Sequence, residues 1–149
     1  MIVSTCDPDC ADARVLVDEL SHALAAITGD SGASSFSAAD TRVARSCFVI
    51  ARAGDGTLLG CGALRPLDEN TGEIKRMYAR PGSGAGARLL AFLEREAAQF
   101  GYRRLWLETR KVNTKAVAFY LKQGYTEIPN YGKYIGRDDA VCLGKACSP

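Results

Sequence analysis

Three glycines in five residues, Gly82, Gly84 and Gly86, are interleaved with Ser83, Ala85 and Ala87, and the carboxylate of Glu73 stands a short way upstream. These six residues carry almost no bulk, so an anion can come close to the backbone. At the head of a helix their N–H groups lack intrahelical acceptors and lie at the positive end of the peptide dipoles. That combination attracts phosphate. The chemistry implied is the binding of an anionic cofactor.

The flanking segments are suited to hold such a loop. The run from Glu73 to Arg80 alternates and contains β-formers, which predicts a strand. Pro81 discourages a helix from running through, and from Gly84 onward Leu89, Leu90, Phe92, Leu93 and Ala97 recur at helical spacing to about Phe100. A strand, a glycine loop and a helix follow in that order. One pattern with this layout is the dinucleotide fingerprint, whose spacing Gly82 to Ala87 satisfies and whose ribose acid Glu108 could be. A dinucleotide-binding strand, however, is buried on both faces and nearly continuously apolar. Here Lys75 and Arg76 interrupt it between Ile74 and Met77, and the motif follows a hairpin in mid-chain.

A second pattern is more specific. Gly72-Glu73-Ile74-Lys75-Arg76-Met77-Tyr78-Ala79-Arg80-Pro81, then Gly84-x-Gly86-x-x-Leu89-Leu90, resembles the acetyl-CoA-binding core of the GNAT superfamily of N-acetyltransferases. Gly101-Tyr102-Arg103-Arg104-Leu105-Trp106-Leu107-Glu108-Thr109 resembles the family's next strand. Asn113-x-x-Ala116-x-x-Phe119-Tyr120-x-x-x-Gly124-Tyr125 resembles its last helix and the turn after it. The resemblance runs from about Phe48 to Gly144 and is greatest to a small bacterial branch often labelled YsnE-like. One departure is that only Gly82 and Ser83 separate Pro81 from Gly84, a shorter approach to the loop than the family's.

The resemblance implies acetyl-CoA as cosubstrate and a primary amine as acceptor, acetylated by direct attack. It implies that backbone groups of Met77, Tyr78 and Ala79 bond the pantetheine, where the central strand splays from its neighbour. Gly82, Ser83, Gly84, Ala85, Gly86 and Ala87 would take the pyrophosphate, with Arg88 in reach of a phosphate, and Asn113 and Tyr120 would flank the cofactor arm. A lysine-like amine with a pKa of about 10.4 is neutral only about once in 2,500 molecules at pH 7, a deficit of roughly 4.6 kcal/mol. A base near the amine is therefore useful. The resemblance places Glu73 there, and Glu108 is the competing carboxylate. It likewise places Tyr120 as the acid that protonates the leaving thiolate. Tyr131 and Tyr134, on a late loop, are candidates to line the acceptor pocket.

Length and composition set the bounds. A chain of 149 residues fits one domain, 1–149, and a domain of that size buries about two-thirds of its unfolded surface. A net charge of +2 is too small to argue for nucleic acid or a charged membrane surface. With no apolar run of bilayer length and no signal-peptide layout, the expectation is a cytoplasmic protein without a membrane partner. The six cysteines and the single His22 lack metal-site spacing, so no metal is expected, and Cys47 and Cys61 read as small apolar strand residues. Many small members of the resembling family pair, which leaves a homodimer open.

In chain order, Val15, Leu16, Leu20, Leu24 and Ile27 form one apolar stripe, predicting an amphipathic helix from Ala11 to Ile27. Gly29 to Asp40 reads as a loop, which in the resembling family walls the acceptor site. Ser46 to Ala53 and Thr57 to Arg65 read as strands joined by Gly54-Asp55-Gly56. Leu67 to Gly72 reads as a polar turn. A helix is predicted from about Asn113 to Gln123, then strands near Tyr125 to Ile128 and Asp139 to Leu143. The fold class is α/β: a mixed, mostly antiparallel sheet with a central splayed strand, flanked by helices. A non-catalytic acyl-CoA-binding sensor has the same sequence signature, and the dinucleotide reading is the remaining alternative.

Overall fold

The computed structural model describes residues 1–147. Seven strands form one sheet: β1 (Ile2–Cys6), β2 (Cys47–Arg52), β3 (Leu58–Pro66), β4 (Thr71–Ala79), β5 (Arg104–Arg110), β6 (Thr126–Ile128) and β7 (Ala140–Ala146). Their order is β1-β2-β3-β4-β5-β7-β6. Every neighbouring pair is antiparallel except β4 and β5. Helix α1 (Ala11–Thr28) follows β1, α2 (Ala85–Gln99) joins the parallel pair, and α3 (Thr114–Lys122) follows β5. This is the expected mixed sheet, with β1 as an addition. The run Ile2-Val3-Ser4-Thr5 carries the β-branched signal for it, and its edge position, with Ile2 63% exposed, removes the burial that makes a strand obvious.

Both faces of the sheet are covered, and this explains why β2 is nearly all apolar. Phe48 and Ile50 of β2 join Cys61 and Ala63 of β3 beneath Ala13 and Leu16 of α1. Val49, Ala51, Leu64, Ile74, Leu105, Leu107, Val141 and Leu143 face the other way, onto Ala85, Leu89, Leu90, Leu93 and Ala97 of α2. Those α2 positions recur at helical spacing and make one buried stripe. Each fully buried leucine contributes about 1.5–3 kcal/mol over its exposed state. Tyr120 of α3 closes the same layer. His22 is exposed on α1, with its Nδ1 against the Asp18 carbonyl at 2.9 Å.

The register of β3 on β4 shifts between Cys61 and Ala63: Cys61 faces Tyr78, whereas Ala63 faces Lys75. Two residues of β4, Arg76 and Met77, thus oppose Gly62 alone, which is a β-bulge. Arg76 takes a left-handed conformation there, φ 52°. A side chain on Gly62 would meet Met77 Sδ at 2.6 Å. The Cys61 thiol donates to the Arg76 carbonyl at 3.4 Å, so this buried cysteine also satisfies the bulge.

Gly60 tests how tightly β3 and β4 are apposed beside the bulge. A Cβ there would press on the Tyr78 carbonyl oxygen, a backbone atom that cannot swing away. Gly60→Ala is expected to destabilise by about 1–3 kcal/mol in urea unfolding. Gly54→Ala, in the β2–β3 hairpin with nothing within 4 Å of its Cβ, should stay within about 0.5 kcal/mol of the parent.

Candidate active site

β4 and β5 pair only from Thr71–Glu73 to Arg104–Trp106. Beyond that point β5 keeps its pairing with β7 as far as Arg110, and β4 keeps its pairing with β3 as far as Ala79. The two central strands therefore diverge and open a cleft of about 140 Å³ through the sheet. Ile74 to Met77 form one wall, and Leu107 to Arg110 the other. Asn113, Ala116 and Tyr120 of the α3 region close one side; Leu20, Leu24, Thr28, Asp30, Gly32 and Ser35 close the opposite side.

On the α3 side, Asn113 caps its helix by accepting from the Ala116 N–H at 3.3 Å. The Tyr120 ring is buried, 8% exposed, and burial pushes its hydroxyl well above the usual phenol range. Among the described residues, no protein group is hydrogen-bonded to that hydroxyl. The glycine loop approaches from the same side. Gly82 and Gly84 have φ of 76° and 69°, a conformation that favours glycine, and a Cβ on either would meet nothing within 4 Å. Gly84 caps α2 and has no side chain to hold its first-turn amides; Ser83 Oγ reaches only the Ala85 N–H, at 3.3 Å. Gly86 lies against the Phe119 ring and near Ala79, which brings the α2 terminus, α3 and the end of β4 together.

The opposite face of the sheet is ionic. Glu73 is 1% exposed. Arg65, its cross-strand partner in register, donates to Oε1 at 2.8 Å, and the Tyr131 hydroxyl donates to Oε2 at 2.5 Å. Arg65 also binds Asp40 at 2.6 Å. Burial and the adjacent Glu73 raise the Tyr131 hydroxyl far above the phenol range. Lys75 donates to the Tyr134 hydroxyl at 3.0 Å, and burial lowers the pKa of its ammonium. Glu108 accepts from Arg110 Nε at 3.2 Å; burial raises its carboxyl above the ordinary range, with Arg110 and Lys75 opposing. Arg110 reaches on to Asp139 at 3.1 Å and Asp30 at 3.5 Å.

Of the residues singled out from the sequence, Met77, Asn113 and Tyr120 line the cleft, and so does Glu108. Glu73 lies just outside the lining, with both its oxygens held. Tyr78 and Ala79 continue β4 beyond the lining, and Tyr78 donates its hydroxyl to Glu19 at 3.0 Å. Gly82 to Ala87 flank the cleft at its α3 side. Arg88 is turned to the Met1 carbonyl, 3.3 Å away, rather than toward the loop. Tyr131 and Tyr134 stand behind Glu73 and Lys75 as hydrogen-bond partners, outside the lining. Arg65 and Arg110 did not stand out in the sequence, and Arg76 did so only as a charge within the strand. A turn centred between Asp68 and Asn70 places residue 65 opposite 73, so Arg65 was within reach of register arithmetic.

A sheet split at a parallel pair, with a glycine-capped helix and a tyrosine-bearing helix meeting at the split, defines the class: an acyl-CoA-dependent N-acetyltransferase fold. The sequence profile of the Acetyltransferase (GNAT) family matches residues 16–125, and the chain belongs to that family. An IAA acetyltransferase of Azospirillum brasilense is 38% identical over 91 residues, 58% of this chain and 59% of that protein. The matched part thus spans about three-fifths of the length of that relative. A Klebsiella pneumoniae protein assigned to the acyl-CoA N-acyltransferases superposes over 99% of this chain and 97% of its own, with TM-score 0.82 and 26% identity. An Elizabethkingia anophelis family member with acetyl-CoA bound shares the fold at TM-score 0.71 and 17% identity, over 97% of each chain. Among the described residues no helix is long and apolar enough to cross a membrane.

The Arg65–Glu73 pair joins β3 to β4 at the base of the split, with side chains 22% and 2% exposed. Arg65→Met leaves the Glu73 carboxylate buried with only Tyr131 as donor. Breaking a buried pair in this way costs about 3–5 kcal/mol, and urea unfolding of the variant should show a loss of that order.

Proposed function

We propose that this chain transfers acetyl from acetyl-CoA to a primary amine by direct attack through the split in the sheet. The observation that carries the reading is the placement of Tyr120 and Glu108 on opposite sides of one cleft, with the open α2 terminus packed on Phe119 of the same helix as Tyr120. The uncapped first-turn amides and the side-chain-free Gly82 and Gly84 suit a pyrophosphate. The cleft edge of β4 past Glu73 is unpaired with β5, and its backbone groups suit an extended, amide-bearing arm. Asn113, Met77 and Tyr120 line the path between. Acetyl-CoA, when bound, supplies an acetyl group activated as a thioester.

The chain's residues then have separable tasks. Glu108 is the carboxylate on the β5 wall of the cleft, and its raised pKa suits a proton acceptor. It takes the proton that the attacking amine gives up as the N–C bond forms. Tyr120, whose hydroxyl stays protonated because it is buried, gives its proton to the sulfur as the C–S bond breaks. The proton count balances: one gained at Glu108, one lost at Tyr120, both restored from solvent. Glu73, the base expected from the resemblance, is held by Arg65 and Tyr131 and fits an anchoring role better than a proton shuttle.

Calorimetric titration with acetyl-CoA should give saturable binding, with NAD as a control that does not bind. Tyr120→Phe should lower turnover by about 10²–10⁴-fold while leaving acetyl-CoA affinity nearly unchanged. Glu108 works deprotonated and its pKa is raised, so kcat/KM should fall as pH drops through a value above the ordinary carboxylate's. Glu108→Gln should slow the reaction and leave only the shallower fall due to protonation of the amine itself; a profile as steep as the parent's removes Glu108 from the proton transfer.

A further inference from the structure

The ionic groups around the cleft are unequally matched. Arg110 is shared among Glu108, Asp30 and Asp139. Arg65 is shared between Glu73 and Asp40. Arg76 donates to the Ser31 and Val17 carbonyls and to Ser21 Oγ, at 3.1, 3.5 and 2.6 Å, which turns its guanidinium away toward α1. Lys75 is left. It lines the cleft and is partly buried, and its partner is the neutral hydroxyl of Tyr134, over whose ring it lies at 5.7 Å. Among the described residues no carboxylate comes within 4.0 Å of its ammonium. Glu73 and Glu108 act on it at longer range, but Glu73 is occupied on both oxygens and Glu108 Oε2 is held by Arg110.

Lys75 and Glu108 face each other across the split. Glu73 is level with Trp106 where the strands still pair, so Lys75 is level with Glu108 just past the divergence, on the same face. A cation with spare donors and a carboxylate with one oxygen not engaged by Arg110 thus stand on the two walls of one small cleft. An ammonium taken from water without an anion is costly, and a ligand that brings the anion offsets that cost.

We infer that the acceptor is zwitterionic: an amine with a carboxylate close to it, of the amino-acid type, whose carboxylate binds Lys75 while its amine faces Glu108. This rests on the acetyl-transfer reading and names the acceptor class for the same site. Lys75 is here a specificity determinant.

The test compares amino acids with their own carboxamides as acceptors: phenylalanine, leucine and lysine against phenylalaninamide, leucinamide and lysinamide. The amide's amine is the less basic of each pair, so a preference for the acid cannot arise from more free amine. Thiol release from acetyl-CoA should show kcat/KM higher for at least one acid than for its amide by about tenfold to a hundredfold, the range for a hydrogen bond between charged groups. Lys75→Met should bring that ratio toward unity, and Lys75→Arg should retain it; a folding defect would lower both members alike. Equal or better use of the amides, or a ratio unmoved in Lys75→Met, overturns the inference. Failure of every acid as acceptor while acetyl-CoA still binds in calorimetry overturns it alone, whereas failure to bind acetyl-CoA removes the transfer reading as well.

Discussion

The parallel pairing of β4 with β5 stops after three residues, and the site depends on its not continuing. Each strand is committed on its other edge: β5 to β7 over its whole length, β4 to β3 over nearly all of its own. Adjacent strands rotate relative to each other, so two strands fixed by outer partners separate once no residue spans them. The bulge at Arg76 adds local twist to β4. It shifts the β3–β4 register by one residue, and the two strands stay paired as far as Ala79 while β4 turns from β5. The resulting gap joins the two faces of the sheet without a hole in the core, because α2 and Tyr120 cover one face and α1 with its following loop covers the other.

A left-handed conformation at a non-glycine residue costs roughly 1–2 kcal/mol, and Arg76 adopts one in the middle of a strand. Its side chain and carbonyl offset the cost. The guanidinium ties the bulge to Val17 and Ser21 of α1 and to Ser31 of the following loop, and the carbonyl takes the Cys61 thiol. Gly32 is held close, since a Cβ there would lie 3.0 Å from Arg76 Nη1. The loop that walls the cleft is therefore fastened to the same residue that opens it. The wall and the split are set by one arrangement of contacts.

The sequence made the elements legible where periodicity is strong. The α1 and α2 stripes, the Gly54–Gly56 hairpin and the start of α3 near Asn113 all lie within a residue or two of expectation, because each depends on neighbours in the chain. The glycine loop was legible for the same reason: Pro81 and alternating small residues state a local conformation. What could not be read is long-range. Arg110 meets Asp30 and Asp139 over 80 and 29 residues, and Arg76 meets Ser21 over 55. Nothing in spacing indicates such partners. Lys75 and Arg76 entered the sequence reading as part of the resembling stretch and as charges that spoke against a doubly buried strand. The strand is nonetheless covered on both faces, with Glu73, Ile74 and Arg76 all buried; the two charges are accommodated because Lys75 faces the cleft and Arg76 braces the bulge.

The two carboxylates show how burial alone fails to assign chemistry. Glu73 is the more buried, yet a guanidinium and a phenol occupy it, so its charge is used to fasten β3, β4 and the late loop. Glu108 is less enclosed and has one engaged oxygen, and the desolvation it feels is only partly offset by Arg110. A proton acceptor needs an oxygen that substrate can reach and a proton affinity above that of a solvated acid. Glu108 suits the proposed role because the strands have already parted where it stands, and it lines the cleft there. Two residues earlier, at the level of Glu73 and Trp106, the pairing is intact and the gap has not yet opened. The point at which hydrogen bonding ends therefore separates the carboxylate that holds the sheet from the one that lines the cleft.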